Sequence, residues 1–177
     1  MKVVILVLFL TCTSGMPGAQ APARSASESQ VKAAFVYNFV KFVEWPSEAF
    51  SDNRAPIIIG VVGEDSTTTA INQTINGKTA NGRRLLIKRF SNYRAITYCH
   101  ILFISSSQRD NVRQILAAIG PAVLTIGETE SFAQMGGIIN FTIVDDKLRF
   151  EINSTAAEKA GLRISAKLLS LARVIKS

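Results

Sequence analysis

The chain has 177 residues, a formal net charge of +7 and a sequence pI near 9.7. Its basic residues are scattered, with only Arg83-Arg84 and Lys88-Arg89 standing together, which makes a weak case for nucleic acid. A single histidine and two cysteines leave no side-chain set from which a zinc site is ordinarily built.

Met1-Lys2 opens the chain with a short positive segment, and Val3 to Leu10 follow as an unbroken apolar run. Small and polar residues come next. This is the layout of a secretory signal peptide, and the run is too short to span a bilayer. Ala19-Gln20-Ala21 and Ala21-Pro22-Ala23 both have small residues at cleavage spacing, and Pro22 directly after the first favours the second, so residues 1–23 read as a signal peptide and the mature chain, from near Arg24, as exported to the periplasm. Cys12 opens an alternative, lipid attachment after the apolar run, although Thr11 is a poor match to the small residue expected before such a cysteine. Residues 24–29 belong to an Ala-, Pro-, Ser- and Gln-rich stretch without apolar period and read as a disordered leader. Residues 30–177 then form one domain. No later segment approaches 18 apolar residues, so the mature chain reads as soluble.

Glu28 to Val43 is the first expected helix. Val31, Phe35, Phe39 and Phe42 form one apolar stripe and Val36, Val40 and Val43 a second; Lys32 and Lys41 leave little polar surface. So wide an apolar arc is either deeply buried or shared with a partner. Glu44-Trp45-Pro46 ends the helix. Pro56 to Val62 reads as a strand buried on both faces, closed by Gly63. Thr68 to Ile75 is a weak helix and Arg84 to Phe90 a more exposed strand. Cys99 to Ile104 is a third buried strand, after which Ser105 to Ser107 can cap a helix over Gln108 to Ile119. Gly120-Pro121 stops that helix. Ala122 to Ile126 is a strand, and Ser131 to Met135 a single helical turn. Ile138 to Val144 and Lys147 to Ile152, separated only by Asp145-Asp146, predict an antiparallel hairpin. Thr155 to Ala160 is a short helix with a capping box from Thr155 to Glu158, and Ser165 to Ile175 is the last helix. The alternation predicts a single α/β domain: a mostly parallel or mixed β-sheet, helices on both faces and a C-terminal antiparallel hairpin.

Catalytic chemistry finds no foothold. His100 is the only histidine base, and strand alternation directs it away from its neighbour Cys99. Glu64-Asp65 and Asp145-Asp146 sit where turns favour acids. Gly60 to Gly63 lacks the order of a dinucleotide loop, and no Gly-x-Ser-x-Gly elbow is present. The expectation is therefore no enzyme, no catalytic residue, no metal and no cofactor. Cys99 reads as a buried small hydrophobe, or else as an intermolecular bridge or reactive thiol. Gly63, Ser105 and Ser106 follow strands whose carboxyl ends share one edge of an open sheet, the place where small ligands bind.

A family resemblance rests on longer motifs. Lys32-Ala-Ala-Phe-Val-Tyr-Asn-Phe-Val-Lys-Phe-Val-Glu-Trp-Pro46 resembles the opening signature of YfiR-like proteins, and Cys99-His-Ile-Leu-Phe-Ile-Ser105 their central strand. Val123 to Gly127, Gly136 to Asn140, Arg149 to Asn153 and Ala160 to Ser165, with Leu168-Leu169 and Leu171-Ala172, continue the likeness in order from about Val31 to Val174. The resemblance implies a periplasmic, non-catalytic α/β domain. It implies a homodimer that represses an inner-membrane receptor such as a diguanylate cyclase, lowering cyclic-di-GMP and with it biofilm formation, and that an outer-membrane lipoprotein can sequester. The regulatory relatives pair further cysteines in disulfides, whereas this chain would keep only Cys99 after processing. Partner contact is expected from Val36, Val40 and Val43, and from Glu151 and Arg163 in the matched motifs, Arg163 being suited to a carboxylate or phosphate. The other reading is a periplasmic small-ligand-binding sensory module at the Gly63, Ser105 and Ser106 edge.

Overall fold

The computed structural model of the chain describes residues 26–176; the expected signal segment lies outside them. The first helix, α1 (Glu28–Phe42), starts at a reciprocal cap. The Ser27 hydroxyl accepts the Gln30 N–H at 3.3 Å, and the Gln30 side chain accepts the Ser27 N–H at 2.9 Å. The leader expected through Ser29 therefore gives way to ordered helix by Glu28.

The strands and remaining helices follow as β1 (Val43–Glu44), β2 (Ile57–Val62), α2 (Ser66–Ile75), β3 (Thr79–Ala80), β4 (Arg83–Phe90), β5 (Ile101–Ile104), α3 (Val112–Ala118), β6 (Leu124–Gly127), β7 (Ile139–Val144), β8 (Lys147–Asn153), α4 (Ser154–Lys159), β9 (Arg163–Ile164), α5 (Ala166–Leu169) and β10 (Arg173–Ile175). Eight strands make one mixed sheet in the order β10-β8-β7-β6-β5-β2-β4-β3, and β1 pairs with β9 in a small antiparallel ribbon. The run β4-β2-β5-β6-β7 is parallel throughout. The chain leaves β2 for β4 on one side, then crosses back to β5 on the other, so its winding direction reverses between β2 and β5.

The central strands are closed on both faces. Ile57, Ile59 and Val61 of β2 join Ile101, Phe103, Leu124 and Ile126 in a core covered by α1 and α2. Val62, Leu102 and Ile104 join Phe90, Cys99, Val112, Ile115 and Phe132 on the other side, beneath α3. This is the doubly covered α/β arrangement that continuous Ile/Val/Leu runs demand. Both stripes of α1 are spent on it. Phe35 and Phe39 lock against Phe141 and Phe150 with ring centroids 5.1–6.2 Å apart. Val36, Val40 and Val43 are also sealed in the core, at 0–1% exposure. Their expected role as exposed partner anchors is therefore corrected: the arc is wide because α1 sits between the sheet, α2 and the β1–β9 ribbon.

Other departures are local. Cys99 and His100 precede β5, although the His100 backbone already joins the ladder, donating its N–H to Ile58 O at 2.8 Å and accepting the Leu124 N–H at 2.9 Å. The segment expected as one helix from Gln108 is a 3₁₀ turn over Ser106–Asn111 followed by α3. The hairpin turn forms as expected, with Asp145 and Asp146 both at positive φ (49° and 56°), the type I′ signature. The cap of α4 is Asn153, whose side chain accepts the Ala156 N–H at 3.0 Å, rather than Thr155. The final expected helix is overturned: α5 lasts one turn, and Arg173–Ile175 instead adds a strand parallel to β8.

Phe39→Ala should lower the unfolding free energy by about 3–5 kcal/mol, the usual cost of emptying a sealed aromatic site. Guanidinium denaturation measures this, and a loss below about 1 kcal/mol would show that α1 is not integral to the core.

Candidate functional site

The winding reversal places three strand ends side by side: Gly63 after β2, Ser105 after β5 and Glu128 after β6. Asp65 caps α2 by accepting the Thr68 N–H at 2.7 Å, and it also accepts the Ser105 hydroxyl. Burial pushes the Asp65 carboxyl up, but its hydrogen bonds, led by those from the Ser105 hydroxyl and the Thr68 N–H, together hold the group below its ordinary value. Glu128 receives the Lys32 ammonium at 2.8 Å, the Ser106 N–H at 3.2 Å and the Thr67 hydroxyl at 3.5 Å. Lys32 also meets Glu28 at 2.6 Å. The Lys32 and Glu128 side chains are only 12% and 6% exposed. Burial disfavours the Lys32 charge, yet the paired carboxylates raise its pKa above the ordinary value.

This cluster borders two cavities along the carboxyl edge. One, of about 580 Å³, is lined by Ser106, Arg109, Asp110, Glu128, Thr129 and Met135 among others. The second, of about 230 Å³, is lined by Glu28, Lys32, Asp65, Thr67, Ser106 and Glu128 among others. Thr129 lines the first of them, and its buried hydroxyl has no hydrogen-bond partner among the described residues.

Of the three edge residues expected to bind ligand, only Ser106 lines these cavities. Ser105 is fully buried, with its hydroxyl committed to Asp65 and, at 2.9 Å, to Ser107. Gly63 turns at φ 90°, and a Cβ there would come within 2.8 Å of Ser105 Cβ. Both form the layer beneath the crevice. Lys32, Asp65, Thr67 and Glu128 are the additions the structure makes. Glu151 and Arg163 do not meet. Glu151 is buried and receives Arg173 at 3.1 Å, and the exposed Arg163 lies 3.9 Å from Glu44. Arg163 also borders a cavity of about 250 Å³ with Leu162, Ile164 and Leu169.

The two remaining chemistry-bearing side chains are structural. Cys99 is buried, and burial pushes its thiol up to about 11, which leaves it protonated and unreactive. His100 is a neutral clasp. Its Nδ1 accepts the Ile58 N–H at 3.0 Å, Nε2 donates to Ala49 O at 3.0 Å, and Phe50 stacks on the ring at 4.6 Å. Burial pushes its pKa below the ordinary 6.5, and the Arg83 charge adds to the depression. Among the described residues, no group of three His, Cys, Asp or Glu side chains is placed to hold a metal ion, and no helix is long and apolar enough to cross a membrane.

Fold and site together define a doubly wound α/β domain with a polar, ion-paired crevice at its winding reversal. The YfiR/HmsC-like family model matches residues 29–173, and the chain belongs to that family. The family is regulatory rather than catalytic, and membership fits a periplasmic regulator of cyclic-di-GMP signalling. Among solved structures, the chain is similar to a conserved domain protein from Vibrio cholerae O1 biovar El Tor, with a TM-score of 0.57, 14% identity and 85% of this chain covered. It is also similar to an ABC domain from Streptococcus pneumonia solved in complex with L-Trp, with a TM-score of 0.51, 10% identity and 83% covered. The chain spans 60% of the length of each of these two proteins, and at such identities the likeness is one of fold.

Two measurements test the site and its surroundings. Lys32→Ala strands the buried Glu128 carboxylate and should cost about 3–5 kcal/mol in urea unfolding, most of it recovered by replacing both partners with Met. A Lys32→Ala loss under about 1 kcal/mol would mean that the pair is solvated. For His100, the unfolded state holds the proton to higher pH than the folded state. The stabilising contribution is therefore complete above pH 6.5 and is lost as pH falls from there through the folded value. Thermal midpoints should fall on acidification through that window, and His100→Gln should flatten the fall; an unchanged slope would refute the clasp.

Proposed function

We propose that this protein is a periplasmic signalling partner that binds the periplasmic domain of an inner-membrane receptor such as a diguanylate cyclase and holds it inactive, lowering cyclic-di-GMP output. The observation that carries this reading is the family match across nearly the whole described domain. Arg163 presents an exposed guanidinium beside an apolar hollow formed by Leu162, Ile164 and Leu169, the combination of charge and anchor pocket that a protein partner uses. Arg163 is thus the proposed receptor contact, while the buried Glu151 is engaged by Arg173 instead. A homodimer and sequestration by an outer-membrane lipoprotein complete the reading.

A second reading has its own observation. The crevice of about 580 Å³ lined by Ser106, Arg109, Asp110 and Glu128 suits a small polar ligand whose occupancy alters receptor affinity.

Deletion of the gene should raise cyclic-di-GMP in a strain with its receptor intact, and tagged mature protein should capture that receptor from solubilised membranes. Arg163→Glu should weaken the capture at least tenfold, as losing one interface hot spot does. An unchanged cyclic-di-GMP level would reject the repressor role.

A further inference from the structure

The sequence carries no acidic residue from Ser66 through Arg109, a stretch that contains seven Lys and Arg residues. Read linearly these bases are scattered, but the fold gathers them. Lys78 lies beside β3, Arg84, Lys88 and Arg89 lie on β4, and Arg94 sits in the loop that follows, so all five share one margin of the sheet. Two contacts draw flanking elements in. Lys41 of α1 and Lys78 converge on the Tyr37 ring at 4.1 and 5.1 Å, and Lys88 donates to the Thr97 hydroxyl at 2.5 Å. All six bases are exposed. Only Arg89 has a carboxylate within ion-pair distance among the described residues, the exposed Glu64 at 3.4 Å.

We propose that this β3–β4 margin docks on the anionic phospholipid surface of a membrane. The charge complementarity is plain, and the form of the margin selects the lipid. None of the cavities described above borders it, and Leu86, at 39% exposure, is the large apolar side chain exposed on β4 itself. A protein partner draws its affinity from anchors buried in pockets, which this margin lacks. A charged lipid plane needs no pockets, because attraction to it adds base by base without fixed registry. Long, exposed Lys and Arg side chains on two faces of one edge suit such a plane. Lysine and arginine also protect sheet edges from pairing, but that role does not require bases on α1 and on the loop after β4. The proposal deepens the reading of a protein that works beside a membrane receptor, since docking would confine it to the receptor's surface.

The test is co-sedimentation of the mature protein with receptor-free vesicles of phosphatidylcholine, with and without phosphatidylglycerol. Because no receptor is present, its outcome is separate from that of the membrane capture above. Binding should require phosphatidylglycerol and disappear at high salt. Arg84→Gln with Lys88→Gln should cut the partition coefficient about thirtyfold. Lys147→Gln with Arg149→Gln, on the hairpin far from this margin, should leave it nearly unchanged; circular dichroism verifies the fold of both variants. Absence of binding would overturn the proposal. So would an equal loss in the two variants, which would mean that net charge alone is responsible. A loss of receptor capture in the Arg84/Lys88 variant with vesicle binding intact would assign the margin to a protein partner and also overturn it.

Discussion

Burial of β2, β5 and β6 on both faces is the constraint on which the rest of the structure depends. Strands without a solvated face need a layer on each side, and the layers are built from unlike pieces. On one side α1 and α2 lie along the sheet; on the other α3 is only two turns long, and Phe90, Phe132 and the surrounding loops fill what it leaves open. The filling is tight enough to dictate glycine. A Cβ on Gly60 would come within 2.7 Å of the Phe90 ring, and one on Gly127 within 2.6 Å of Phe132. These glycines are spacers between a strand and the ring that covers it.

The same constraint creates the polar edge. A doubly covered parallel sheet exposes its strand ends, and the loops leaving them must satisfy their backbone groups within a narrow space. Asp65, Ser105, Ser107 and Glu128 do this work, and Lys32 reaches in from α1 to balance the charge. Such a pair contributes little net stability, because desolvation offsets attraction. What it confers is position, tying α1 to the end of β6.

Much of this was legible in the residues, for identifiable reasons. Continuous apolar runs revealed the buried strands, and Asp145-Asp146 between alternating strands revealed the hairpin. The C-terminal segment misled because Leu168, Leu169, Leu171, Ala172 and Ile175 do satisfy helical spacing; the unpaired edge of β8 outweighed local propensity and drew Arg173–Ile175 into the sheet. The valines of α1 misled in the opposite way, since a stripe shows that a face is apolar but not what covers it. Lys32 stood out only as a charge in an apolar helix, and its partner lies 96 residues away, beyond the reach of any local pattern. Asp65 looked like an ordinary turn acid, and nothing local set Glu128 apart. The crevice is a product of topology, so strand order had to be known before its members could be collected.

The seal around Cys99 has a consequence for how the protein can be watched at work. Its sulfur sits beneath the Gly60 backbone with Phe90 as a neighbour, protonated and out of reach of oxidants or alkylating reagents. Modification therefore has to wait until the sheet parts from the layer above it. With no other thiol among the described residues, the rate of labelling is a built-in gauge of how often that layer breathes. A ligand or partner that stiffens the domain would slow the gauge without touching the sulfur.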